Sequence, residues 1–263
     1  MEERIDYFDC HADTLTEIVE NRESLWRNKR NLDLERVFGF AKRYTQVFAI
    51  WRDRNEMGDK PEAEFAAICQ KARRLIDAQR QYIALCQSGA DMKNAHAAGK
   101  AAAFFSVEDI SIMGNMAANI KQFGFTFAMM SWNYENRYAT GAVCAQERGL
   151  TGEGRQMVKC LLDQNIIMDV SHLSDAGIED ILSMTDKPII ASHSNVRALC
   201  DHPRNLRREH ICEIIRRGGI IGVNFYQPFM GEGSGLKDLL RHMDYILNLG
   251  GEKSVVLGGD FDG

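Results

Sequence analysis

A chain of 263 residues with 45% hydrophobic content can bury one large core, and single α/β barrels commonly have this size. The formal net charge of −5 argues against a nucleic-acid partner, which calls for a basic face. The start Met-Glu-Glu-Arg-Ile-Asp is not that of a secretory signal, and no run approaches the ~20 apolar residues of a membrane span, so a soluble cytoplasmic protein without a membrane partner is expected.

In chain order, apolar or β-branched runs at 5–8, 44–50, 101–106, 125–130, 166–170, 188–191, 219–225 and 254–257 are the predicted strands. Charged segments with helical spacing lie between most of them, at 62–86, 154–162, 175–183, 208–217 and 237–249. Eight strands alternating with helices predict an α/β fold, a (β/α)8 barrel of the TIM type, as one domain over residues 1–263. The chain stops three residues after Asp260, so the last helix of such a barrel is expected to be missing and the chain to be shortened. The seven cysteines are scattered without a C-x-x-C pair, which reads as reduced core thiols rather than a disulfide framework or a thiolate zinc site.

The polar residues that follow the strands carry the chemistry. His11 and Asp13 stand two apart after the first strand, so an extended backbone would point both to one side; alone, such a pair is more often a cap or a turn. Glu108 ends the third predicted strand, where a solvated carboxylate is the plain alternative. The fifth and sixth predicted strands both end in Ser-His, at His172 and His193. The last strand runs through Gly258 and Gly259, which permit close backbone approach, to Asp260 and Asp262. A calcium loop there would need regularly spaced oxygen ligands and a terminal Glu, which are lacking. Imidazoles and carboxylates gathered at the C-terminal ends of barrel strands suit a divalent transition metal. By contrast His96, His210 and His242 read as solvated, while His202 sits in a loop near Arg204 where a substrate contact stays open.

The motifs D-C-H-A-D at 9–13, S-V-E-D at 106–109, D-V-S-H at 169–172, S-H-S at 192–194, R-N at 204–205, G-V-N-F-Y at 222–226 and G-G-D-F-D-G at 258–263 together resemble the membrane (renal) dipeptidase family, in a bacterial form. The resemblance implies a metal-dependent hydrolase of the amidohydrolase kind that cleaves dipeptide amides with a metal-bridging hydroxide. It further implies two divalent ions, zinc in the family. His11 and Asp13 would hold one, His172 and His193 the other, and Glu108 would bridge them. Asp260 would be the acid/base, Arg204 would take the substrate carboxylate, and Tyr226 would line the pocket. Trp132 and Asn133 stand where the best-known animal members carry a substrate-side histidine, so these two are candidate substrate contacts and the oxyanion donor stays unassigned. A homodimer is compatible with this reading. The rivals are another amidohydrolase-type barrel acting on a different substrate and a non-catalytic shortened barrel.

Overall fold

The computed structural model describes residues 4–231 and 233–263; the first three residues, which bear on the signal-peptide reading, lie outside that range. The fold is α/β, and its strands are parallel in every ladder. The chain divides into two compact units, one made of 1–107, 112–126 and 261–263 and the other of 108–111 and 127–260.

The first unit carries β1 (Ile5–Ala12), α1 (Thr14–Asn21), α2 (Leu34–Phe40), β2 (Ala41–Ile50), α3 (Pro61–Ala78), β3 (Ile83–Leu85), α4 (Gly89–Ala97) and β4 (Ala101–Val107). Its ladders run β3-β4-β2-β1. Every residue of β4 is buried, which is why this strand reads as an unbroken apolar run rather than an alternating one. Helix α3 opens with Pro61 in its first turn and buries Phe65, Cys69, Ala72 and Ile76, a stripe at helical spacing. Phe65 stacks on Phe125 at 6.2 Å, and Phe125 meets Phe105 at 5.9 Å, so the helix is fixed to the strands by aromatic contact.

The helix predicted over 62–86 is in fact α3 followed by a strand. The Tyr82 N–H donates to the Gln79 carbonyl, which closes a turn, and Ile83–Leu85 then pairs with Ala101–Ala103. Three apolar residues are too short a run to show a strand period, so only the ladder reveals β3.

The second unit holds β5 (Phe125–Met129) from Phe127 onward, α5 (Gly152–Asp163), β6 (Ile167–Asp169), α6 (Asp175–Met184), α7 (Arg208–Arg216), β7 (Ile221–Asn224), α8 (Leu236–Asn248) and β8 (Val255–Gly258). β5 pairs with β6, and β7 with β8. Between these pairs the predicted strand at 188–191 contracts to two bridges, Asp169 with Ile190 and Ala191 with Ile221. Pro188 has no N–H to give a ladder, which limits the pairing to the residues after it. Thr151 and Ser174 cap α5 and α6, their hydroxyls accepting from Gly154 and Gly177. Among the described residues no helix is long and apolar enough to cross a membrane.

His210 and His242, read from the sequence as solvated, are buried at 3% and 1% exposure. His242 lies on the inner face of α8 with Leu239 and Ile246, and its Nδ1 accepts from the Val196 N–H at 3.1 Å. His96 is half-buried, with Nε2 within 3.1 Å of the Thr45 hydroxyl and 3.0 Å of the Tyr44 carbonyl. A charged helix hides such residues from sequence reading because its polar face dominates the composition.

Two outcomes follow from the packing. A Cβ on Gly222 would lie 1.9 Å from the Ser192 carbonyl oxygen, whereas one on Gly89 would meet nothing within 4 Å. Gly222→Ala is therefore expected to lower unfolding stability by about 1–3 kcal/mol in urea titrations, with Gly89→Ala near neutral. Burial lowers the pKa of both His210 and His242, outweighing the opposing pull of Asp175 and Glu179 on the first and the Met230 carbonyl on the second. The unfolded chain then binds protons that the folded chain refuses. Stability is full above the ordinary histidine value of about 6.5 and falls as pH drops toward the folded values. Urea midpoints should hold between pH 8 and 7 and decline from pH 6.5 to 5, by at most about 1.4 kcal/mol per pH unit per histidine. His242→Asn, which keeps an acceptor where Nδ1 stands, should flatten part of that decline.

Candidate metal and substrate site

In the second unit, the two Ser-His turns are drawn together by one carboxylate. Asp169, the last residue of β6, is fully buried, and its Oδ1 accepts from the Ser171 N–H at 3.0 Å and the Ser192 N–H at 3.1 Å. The Ser171 hydroxyl oxygen in turn accepts from the His193 N–H at 3.1 Å and lies 3.3 Å from the Ser194 hydroxyl. His172 adopts a left-handed backbone, φ 67°, which a non-glycine residue holds only where its surroundings enforce it.

The imidazoles then converge. His172 Nε2 lies 2.7 Å from Glu108 Oε1 and 2.8 Å from His193 Nε2, and His193 Nε2 lies 3.8 Å from the same Glu108 oxygen. The opposite ring nitrogens are engaged elsewhere: His172 Nδ1 donates to Asn133 Oδ1 at 2.8 Å, and His193 Nδ1 is 2.8 Å from the Ser192 hydroxyl. With its proton on Nδ1, His172 presents an Nε2 lone pair to its partners, and two buried imidazoles facing one carboxylate are the kinds of donor that suit a divalent cation. The residues present therefore fit a metal ligand set. Trp132 packs its ring against His172 at 5.8 Å.

Arg204 is buried at 3% exposure, over the Phe229 ring at 5.4 Å. Its guanidinium hydrogen bonds are long, 3.4 Å to the Ser194 hydroxyl and 3.4 Å to the His193 carbonyl, and Nε has no hydrogen-bond partner among the described residues. Burial pushes its pKa down to about 10, partly offset by Asp260, Glu108 and Asp169, so it remains a cation at neutral pH. Asp260 accepts from Asn224 Nδ2 at 2.9 Å. Tyr226 is 56% exposed, its N–H donates to Asn224 Oδ1 and its ring meets Phe229 edge-on at 5.0 Å.

In the first unit, His11 Nε2 and Asp13 Oδ2 lie 3.4 Å apart, both residues buried at the end of β1. Asp9 organises their strand end: its Oδ1 accepts from the His11 N–H at 2.9 Å, and Tyr7 donates to Oδ2 at 3.3 Å. Asp262 belongs to the same unit, with Oδ2 accepting from Thr14 at 2.6 Å and Oδ1 from the Asn31 N–H at 2.8 Å. The expectation that the last strand runs on to Asp260 and Asp262 is corrected, since β8 ends at Gly258 and both residues have left-handed backbones, φ 55° and 67°.

Sequence reading did not single out Asp169, Ser171, Ser192 or Asn224. The Asp two residues before the first Ser-His, and the Ser before each His, were the available signals.

The whole chain, residues 1–263, matches the family described as membrane dipeptidase, peptidase family M19. It is 31% identical over 214 residues to an uncharacterized protein of the pqqA 5′ region of Klebsiella pneumoniae, covering 73% of this chain and 76% of that one. Dipeptidase aclJ of Aspergillus oryzae is 28% identical over 177 residues, 64% of this chain but 42% of its own length. An uncharacterized dipeptidase of Schizosaccharomyces pombe is 31% identical over 63% of this chain and likewise 42% of its own length, so the chain matches about two fifths of each fungal relative. Among solved structures, a metallopeptidase described as dipeptidase AC superposes with a TM-score of 0.89 at 25% identity over 99% of this chain and 86% of that one. A metallopeptidase from Rhodobacter sphaeroides, bound to a phosphinate mimic of L-Ala-D-Ala, gives a TM-score of 0.86 at 24% identity over 99% of this chain and 87% of that chain. The fold is therefore the α/β fold of these metallopeptidases, and the chain belongs to the membrane dipeptidase family, the metallo-dipeptidases of peptidase family M19, which are hydrolases acting on peptide bonds.

Proposed function

We propose that residues 1–263 act as one hydrolase barrel, a cytoplasmic metal-dependent dipeptidase that cleaves the amide bond of dipeptides. The observation that carries this is the convergence of His172, His193 and Glu108 through buried Nε2 and Oε1 atoms, in a chain matched end to end by a family of metallo-dipeptidases. In this reading His172 and His193 would hold one divalent ion and His11 and Asp13 a second, with Glu108 as a further carboxylate ligand and zinc as the metal. When bound, such a pair activates water at neutral pH and polarises the substrate carbonyl.

The remaining roles belong to the chain's own residues. Arg204, a buried cation whose fork is only weakly bonded, takes the free carboxylate of the dipeptide, and a guanidinium suits this because it can pair with both oxygens. Asp260, held by Asn224, accepts the proton of the attacking water and passes it to the leaving amine. Asn133 holds the His172 ring in its ligating tautomer, and Trp132 and Tyr226 flank the substrate. The phosphinate dipeptide mimic bound by the Rhodobacter sphaeroides relative supports a dipeptide as the substrate class. Recognition of a free carboxylate by Arg204 favours a dipeptidase over an amidohydrolase-type barrel acting on a neutral substrate.

Metal analysis of the purified protein, together with a screen of L,L- and L,D-dipeptides, tests the proposal. His172→Ala and His193→Ala should each lose about one metal equivalent and nearly all turnover, because water does not replace an oriented imidazole. Full metal occupancy in either variant would overturn the ligand set. Asp260→Asn should keep its metal while kcat falls about 10²–10⁴-fold with a smaller change in KM. Asp262→Asn, whose carboxylate is engaged by Thr14 and Asn31, should instead lower stability and leave kcat largely intact; the reverse pattern would reassign the proton shuttle.

A further inference from the structure

We propose that Arg197 is the positioning residue that sets the aim of Arg204, an inference that rests on the carboxylate-binding role given to Arg204 above. Arg204 does not fix its own direction. Its guanidinium makes two hydrogen bonds of 3.4 Å, and its strongest backbone tie is its N–H to His202 Nδ1 at 3.1 Å. Beyond packing on the Phe229 ring, contacts this long add little to hold a four-torsion side chain in one place. The direction in which the side chain leaves the loop is therefore set by the backbone on either side of Arg204.

Arg197 grips that backbone on both sides, at the Pro203–Arg204 peptide before it and at the Asn205–Leu206 peptide after it. Its Nη2 donates to the Pro203 carbonyl at 2.9 Å and its Nε to the Asn205 carbonyl at 2.8 Å, and its own N–H donates to the Leu206 carbonyl at 2.9 Å. The same guanidinium forks onto the Asp175 carboxylate, with Nη2 to Oδ1 at 3.0 Å and Nη1 to Oδ2. Asp175 is the first residue of α6, three residues beyond His172. One planar group thus connects the segment that carries His172 to the loop that carries Arg204. The planar fork of arginine meets both carboxylate oxygens and two carbonyls at once, whereas lysine keeps the charge but has only three donors on one nitrogen and loses the plane. The neighbouring Arg207 supplies the internal comparison. Its Nε pairs with the same Asp175 oxygen at 2.7 Å, yet it is bonded to neither carbonyl beside Arg204.

The experiment is steady-state kinetics of the metal-loaded enzyme on a dipeptide and on its C-terminal amide, for wild type, Arg197→Lys, Arg207→Lys and Arg204→Lys. The wild type should prefer the free acid. Arg204→Lys should remove most of that preference, and Arg197→Lys should raise KM for the free acid at least about tenfold while kcat stays within about threefold and metal content is unchanged. Arg207→Lys should leave KM where it is. A merely structural loss would lower the active fraction and therefore kcat, not the ratio of acid to amide. If Arg204→Lys leaves the preference intact, the role of Arg204 fails and this inference with it. If Arg204→Lys removes the preference while Arg197→Lys retains it, or if Arg207→Lys behaves as Arg197→Lys does, the positioning role alone is overturned. Should Arg197→Lys fail to fold, Asp175→Asn, which weakens the anchor of the same fork, must raise KM for the free acid selectively, and an unchanged KM there overturns the proposal.

Discussion

A fully buried carboxylate, that of Asp169, receives the backbone N–H groups of Ser171 and Ser192 and so holds two chain segments at the spacing that makes their histidines meet. Burial of this polar group is tolerated because two backbone N–H donors bond one of its oxygens and the Arg204 cation interacts with it. The dependence runs outward from there. Ser171 receives the His193 N–H, the His172 backbone is held in a left-handed conformation, and the two Nε2 atoms come within 2.8 Å of each other beside Glu108.

The second constraint is steric. The Ser192 carbonyl lies so close to β7 and β8 that a Cβ on Gly222 or Gly258 would approach it to 1.9 or 2.0 Å. The glycines of G-V-N and G-G-D thus leave room for the turn that carries His193, and Asn224, two residues past the first of them, reaches the Asp260 carboxylate. Backbone clearance and side-chain chemistry thus belong to the same short segments of this chain.

Charge placement follows a similar economy of position. Arg204 is buried near Asp260, Glu108 and Asp169, yet its hydrogen bonds are long and its nitrogen Nε has no hydrogen-bond partner among the described residues, so its charge is balanced while its hydrogen-bonding capacity is not filled. Such a group is ready for an anionic partner in a way that a closed surface ion pair, such as Arg27 with Glu35, is not.

The sequence alone determined the alternation of strands and helices, because burial on both faces makes strands such as Ala101–Val107 continuous apolar runs and helices such as α6 begin at Ser174 caps. It also marked Glu108, His172, His193 and Asp260, since polar residues directly after apolar strands stand out against their neighbours, whereas Arg204 entered through the family resemblance. Tertiary structure decided what spacing along the chain does not encode. The strand Ile83–Leu85 exists only through its ladder to β4, and the run at 188–191 is reduced to bridges by the residues that flank it. His210 and His242 are interior residues although their helices read as solvated. Asp260 and Asp262, equivalent by sequence position, differ because left-handed backbone at each turns one toward Asn224 and the other toward Thr14 and Asn31. The physical reason is common to all of these. A hydrogen bond between residues tens of positions apart leaves no periodic trace in a single sequence, whereas burial of a face does.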